Sequence, residues 1–147
     1  MSVLREEIPT VRILPMSDKV RGFSGLSIEE VQRKWFLGRL PAGGGRFHYR
    51  SAGLNAARGT VVLFQFQARI IASGVFWRDE KFARPAGGYG GILHFDAETI
   101  RTFEPVDIEG MRAVWPGIRG FGHVKQFLNP ALYGKFKKRL KRVAAPL

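Results

Sequence analysis

Apolar and polar positions along the chain divide it into short β-branched runs and a few helical stripes. Residues 11–14 read as a strand closed by Pro15. Ser27, with Glu30 three positions later, forms a capping box. Ile28, Val31 and Trp35 share one face of the helix it opens. Gly38 and Pro41 end that helix, at about Leu37. Residues 46–50 alternate basic with aromatic side chains and fit a strand or an ordered loop. The clearest β signal is in residues 60–66 and 68–77, read as antiparallel strands joined by a tight turn near Gln67. Gly74 inside the second of these marks a bulge or a close backbone approach.

Residues 79–91 carry Pro85 and the run Gly87-Gly88-Tyr89-Gly90-Gly91, and read as a loop. Residues 92–95 and 99–106 read as two further strands, with Asp96 and Glu98 flanking a hairpin turn between them. Asp107 caps a short helix through Val114, broken by Trp115-Pro116-Gly117. Asn129 as N-cap and Pro130 at the first helical position open a last helix, over about 130–142. Leu132, Phe136 and Leu140 form its buried stripe, and the surrounding lysines and arginines suit the negative end of its dipole. The chain shows neither an internal repeat nor a linker, and 147 residues are too few for two independent cores, which predicts a single domain over 1–147. Strands with interspersed short helices predict a mixed α+β domain on a small curved sheet or barrel.

Charge changes this picture from a generic domain to one with an expected partner. Lys and Arg number 24 against 12 acids, for a net charge of +12. Such an excess draws a polyanion by long-range attraction and counterion release. The absence of cysteine excludes disulfides and thiolate metal sites. Residues 1–12 lack the apolar core of a signal peptide, and no apolar run reaches the length of a membrane span. The expectation is a cytoplasmic protein, with no membrane partner.

The search for reactive groups returns little. His48, His94 and His123 have no metal-ligand spacing, so neither a metal nor another cofactor is expected. No nucleophile elbow is present, and neither glycine run is followed by the Lys-Ser or Lys-Thr of a phosphate loop. With no catalytic residues assigned, an enzyme is the less favoured expectation. What remains is the interleaving of aromatic and basic residues in 46–50 and 76–84, where cations hold phosphates and exposed rings stack on bases. Strand alternation buries half of these rings. Either Phe76 or Trp77 points inward, and the sequence leaves open which.

Two stretches carry a resemblance. Gly59-Thr60-Val61-Val62-Leu63-Phe64, followed by Arg69-Ile70-Ile71-Ala72-Ser73-Gly74-Val75, resembles the central hairpin of PUA-like domains of the EVE and ASCH branches. Gly91-Ile92-Leu93-His94-Phe95-Asp96, then Ile100, Phe103-Glu104-Pro105-Val106, Val114-Trp115-Pro116, Phe121 and Gln126, resembles the EVE-like domains fused to HNH nucleases in modification-dependent restriction systems. The resemblance covers about residues 47–128. It implies a small PUA-like curved β-barrel with peripheral helices and a pocket that receives one base. In the DNA-reading branches that base is a modified cytosine, 5-methylcytosine or 5-hydroxymethylcytosine, flipped into an aromatic cage. Cage candidates here are Trp35, Tyr49, Trp77 and Tyr89, with Asp79 to read a base amino group. Candidates for phosphate contacts are Arg46, Arg50, Arg78, Lys81, Arg84, Lys137 and Lys138.

No HNH motif follows in this chain, so the expectation is a reader of modified DNA whose associated cleavage needs a separate nuclease domain or partner. Two rivals stand beside it: an RNA-binding PUA-like module, and an ASCH-like amidohydrolase acting on a modified nucleoside. The last requires a lysine, a hydroxyl and a carboxylate in one pocket, an arrangement the sequence does not assemble.

Overall fold

The computed structural model describes residues 8–16, 23–50, 53–121, 126 and 128–140. It is a mixed α+β protein built on an open five-stranded sheet in the order β1-β3-β4-β5-β2. The strands are β1 (Val11–Met16), β2 (Arg46–Tyr49), β3 (Val61–Phe66), β4 (Arg69–Ala86) and β5 (Tyr89–Val106). β1 runs parallel to β3, and the remaining neighbours are antiparallel. Pro15 does not close β1, which continues to Met16. An edge strand tolerates proline because its outward side needs no ladder donor.

The capping box forms as expected, with Ser27 Oγ accepting from the Glu30 N–H and Glu30 Oε1 accepting from the Ser27 N–H. It opens α1 (Ile28–Val31). The helix does not end at Leu37. A π-helical segment (Gln32–Arg39) and α2 (Leu40–Ala42) carry it through Gly38 and Pro41. The wider turn spaces Val31, Phe36 and Leu40 five and then four residues apart, and all three are buried against the sheet. Burial of that stripe outweighs the local helix-ending signals.

The hairpin turn near Gln67 is present, although Gln67 and Ala68 both take left-handed backbone (φ 51° and 62°) where glycine or asparagine is usual. The stretch 79–91 is not a loop. β4 runs on to Ala86 and β5 begins at Tyr89, joined by Gly87-Gly88 at φ 60° and 86°. Two adjacent glycines meet the positive-φ demand of a two-residue hairpin turn. Pro85 is accommodated because the register shifts between Lys81 and Ala86, where no ladder pairs form.

The expected hairpin turn at Asp96 and Glu98 is also absent, since both lie inside β5. Here β5 carries extra residues opposite Gly74, and the register shifts between Ser73 and Val75. The Val75 N–H donates to Thr99 Oγ1 (2.9 Å), which donates in turn to the Asp96 carbonyl (2.7 Å). Thr99 thus replaces a missing ladder bond, and the irregularity expected at Gly74 is found. A similar repair lies nearby, where the buried Gln32 side chain donates to the Ile71 and Phe103 carbonyls (3.0 and 2.7 Å) across another register shift.

Apolar side chains cover both faces of the sheet. One cluster packs Phe36 and Leu40 against Val62, Phe64, Phe66 and Phe95. The other packs Met111, Trp115 and Phe136 against Val11, Ile13, Val61 and Leu63. Asp107 caps α3 (Ile108–Arg112) by accepting from the Gly110 N–H. Asn129 caps a 3-10 turn (Pro130–Leu132) that leads into α4 (Tyr133–Arg139), where Phe136 is fully buried. Leu140 has extended backbone and ends this helix before the expected 142; residues 141–147 lie outside the described ones.

Candidate functional site

β4 outlasts β3 at its far end, and the surface it exposes there holds most of the candidate residues. The register of β4 on β5 slips between Phe76 and Arg78, leaving Trp77 as an extra, unpaired residue. Phe76 points inward and is buried, whereas Trp77 is 42% exposed. The Arg58 guanidinium lies 4.2 Å from the Trp77 ring centre. Below Trp77, Asp79 Oδ1 accepts a 2.6 Å hydrogen bond from the Tyr49 hydroxyl. Register explains the meeting, because Tyr49 and Asp79 both pair on β5, with Gly91 and Leu93 respectively.

Glycine makes this close approach feasible. A Cβ on Gly91 would collide with the Tyr49 hydroxyl, and one on Gly53 with the second carboxylate oxygen of Asp79. Burial, reinforced by the bond to Asp79 and by its charge, pushes the Tyr49 phenol up to about 12, so it remains a hydrogen-bond donor at neutral pH. Trp77, Arg78, Asp79 and Lys81 border an open recess of about 480 Å³, closed on its other side by Gly53, Leu54, Asn55 and Ala56. One recess therefore offers an aromatic ring, a positioned carboxylate acceptor and the Lys81 cation.

The opposite side of the same strands carries a second group. Arg46 pairs with His94 across β2–β5, and Arg78 pairs with His94 across β4–β5, so these three share a face. His94 Nε2 lies 2.8 Å from Glu80 Oε1, and Arg78 lies 3.9 Å from the same oxygen. The hydrogen bond to His94 holds the Glu80 carboxyl below its usual range, aided by the charges of Arg78 and Arg46. Farther along, Tyr89 packs edge-on to His48 (5.3 Å), with the Arg50 guanidinium 5.3 Å from its ring centre. The basic–aromatic alternation of residues 46–50 thus splits by strand geometry, sending Phe47 into the core and Arg46 outward.

The four aromatic cage candidates are not gathered in one place. Trp77 lines the recess and Tyr49 is bonded to Asp79 at its border. Tyr89 sits beside the hairpin tip, on His48 and Arg50. Trp35 packs against the core rings of Phe23 and Phe47, at 5.7 and 6.3 Å, and its indole Nε1 is buried with no partner among the described residues. Of the phosphate candidates, Arg78 and Lys81 border the recess, while Arg46 on β2, Arg50 just after it and Arg84 on the β4–β5 arm are exposed. Lys137 and Lys138 project from α4, and Lys137 borders a different recess. Sequence reasoning missed Arg58 and the glycines at 53 and 91. Arg58 lies in the segment before β3, and nothing local in the sequence indicates that it reaches Trp77.

His123 lies outside the described residues. Among the described residues no group of three or more His, Asp or Glu is placed to hold a metal ion, and no helix is long and apolar enough to cross a membrane. Comparisons with protein-family models, with curated proteins and with solved structures return no match.

Proposed function

We propose that this protein is a nucleic-acid-binding module that reads a flipped modified cytosine in DNA, 5-methylcytosine or 5-hydroxymethylcytosine, at the Trp77–Asp79 recess. The observation that carries this reading is the convergence of Trp77, Asp79 and Lys81 on one opening. A base drawn from a duplex loses a few kcal/mol of stacking and pairing. Stacking on an aromatic side chain returns about 1–3 kcal/mol. A carboxylate is the natural acceptor for the exocyclic amino group of cytosine, and Tyr49 orients that of Asp79. The volume of about 480 Å³ falls within the usual range of small-ligand pockets. Arg46, Arg50, Arg78, Lys81 and Arg84 surround the arm and supply attraction for the phosphate backbone. With this goes the finer fold assignment, a PUA-like domain of EVE type. The bulges in β4 and β5 support the curvature that such a sheet requires.

The test is binding to matched duplexes carrying cytosine, 5-methylcytosine or 5-hydroxymethylcytosine, beside RNA of the same sequence, measured by fluorescence anisotropy. Tighter binding to a modified duplex is expected. Trp77→Ala should abolish the preference while leaving salt-dependent background binding. Equal affinity for the three duplexes together with a strong preference for RNA would overturn the proposal in favour of an RNA-binding module.

A further inference from the structure

A second recess, of about 280 Å³, lies where α4 meets β4 and the bulge of β5. Its polar lining is Ser73, Thr99, Arg101, Tyr133 and Lys137, and none of the described residues that line it is acidic. Two other recesses differ in this respect, since Asp79 lines one and Glu104 with Asp107 another. Arg101 and Lys137 are exposed, whereas Tyr133 is half-buried and Ser73 is buried. Lys137 lies one helical turn beyond Tyr133, with its ammonium 5.8 Å from the ring centre. Arg101 is anchored by Nη1 on the Glu98 and Ile100 carbonyls (2.6 and 3.0 Å), which fixes the guanidinium and leaves its other donors available.

We infer that Arg101, Tyr133 and Lys137 form a binding site for one backbone phosphate of a nucleic acid. Two cations, one of them anchored, beside a phenol donor, with no carboxylate in the lining, match a tetrahedral oxyanion. Burial raises the Tyr133 phenol above its usual range, while Ser73 and the charge of Arg101 act in the opposite direction. The site lies on the same strand as the base recess. Ser73 precedes Trp77 by four residues and Asp79 by six along β4, roughly 13–20 Å at about 3.3 Å per residue. The two recesses adjoin the two different apolar clusters, and their separation along the strand is shorter than one turn of duplex, about 34 Å. This placement rests on the base-reading proposal; the phosphate site itself does not.

Two measurements on the whole chain separate these ideas. Inorganic phosphate added to the ¹⁵N-labelled protein should shift the amides of Ser73, Thr99, Arg101, Tyr133 and Lys137, and the double substitution R101Q/K137Q should abolish those shifts. Absence of the shifts, or their survival in the double variant, overturns the site. On a 5-methylcytosine duplex, the same variant should lower the slope of log affinity against log salt by about 0.9, the loss of one phosphate contact, with the preference over cytosine unchanged. An unchanged slope, with phosphate still bound by the wild type, makes this a site for free phosphate and overturns its assignment to the backbone. A reduced slope with no base preference in either protein upholds the phosphate site and sinks the base-reading proposal. K137E alone should weaken duplex binding more than K137Q; equal binding by the two also counts against the site.

Discussion

Replacing Asp79 by Asn keeps the shape of the side chain and removes its charge. The 2.6 Å hydrogen bond from Tyr49 then has a neutral acceptor. A bond to a charged partner contributes about 1.5–3 kcal/mol net and a neutral one about 0.5–1.5 kcal/mol, a difference of about 1 kcal/mol. Both residues are only half-buried, so solvent screening places the loss toward the lower end of that difference. For a chain of this size the melting temperature falls by about 2–4 °C per kcal/mol. The phenol gives a sharper readout. Tyr49 is raised from 10 to about 12, first by burial and then by Asp79. The folded state holds that proton more tightly than the unfolded chain does. The resulting stabilisation is complete below pH 10 and is lost as pH rises to about 12. D79N removes the charge and leaves burial, so the Tyr49 midpoint should fall below about 12 yet stay above 10. Tyrosinate absorbance measured against pH follows this, and Y49F identifies which of the three tyrosines is responsible. An unchanged Tyr49 midpoint in D79N would refute the pairing, as would a variant more stable than the wild type at pH 7.

Three further outcomes test the packing behind the site. Gly91→Ala places a Cβ 2.5 Å from the Glu80 carbonyl oxygen and against the Tyr49 hydroxyl, so it should cost about 1–3 kcal/mol in urea unfolding. Gly117→Ala meets nothing within 4 Å and should stay within about 0.5 kcal/mol; equal effects from the two would contradict the tight fit at Gly91. Gln32→Met strands the Ile71 and Phe103 carbonyls at about 1–3 kcal/mol for each buried group left unpaired. It should also speed hydrogen exchange where β4 and β5 lose register, and a loss under about 1 kcal/mol would show that the carbonyls find other partners.

Local signals in the sequence were sufficient wherever the structure is itself local. The capping box at Ser27 and Glu30, the Asp107 and Asn129 caps, the turn at Gln67 and the stripe of Phe136 each depend on residues within a turn or two. The mixed α+β class and the basic surface were equally legible, because apolar periodicity and charge are summed along the chain. Signals of the same kind misled where tertiary burial outweighed them. Gly38 and Pro41 look like helix ends, but Phe36 and Leu40 gain more from the core than the helix loses. Glycines and Pro85 look like a loop, but two glycines suffice to turn a long hairpin whose register shift absorbs the proline. The candidate site was legible residue by residue and not as a constellation. Trp77, Asp79 and Lys81 lie close in sequence, and strand geometry alone brings them to one opening. Tyr49 reaches Asp79 only because β5 lies between β2 and β4, and Arg58 reaches Trp77 only because the chain before β3 folds back over β4. Trp35, equally aromatic and equally a candidate, went to the core with Phe23 and Phe47. Residue type sets what a side chain can do, whereas the order and register of strands decide which side chains meet, and those depend on contacts between distant segments that no local pattern encodes.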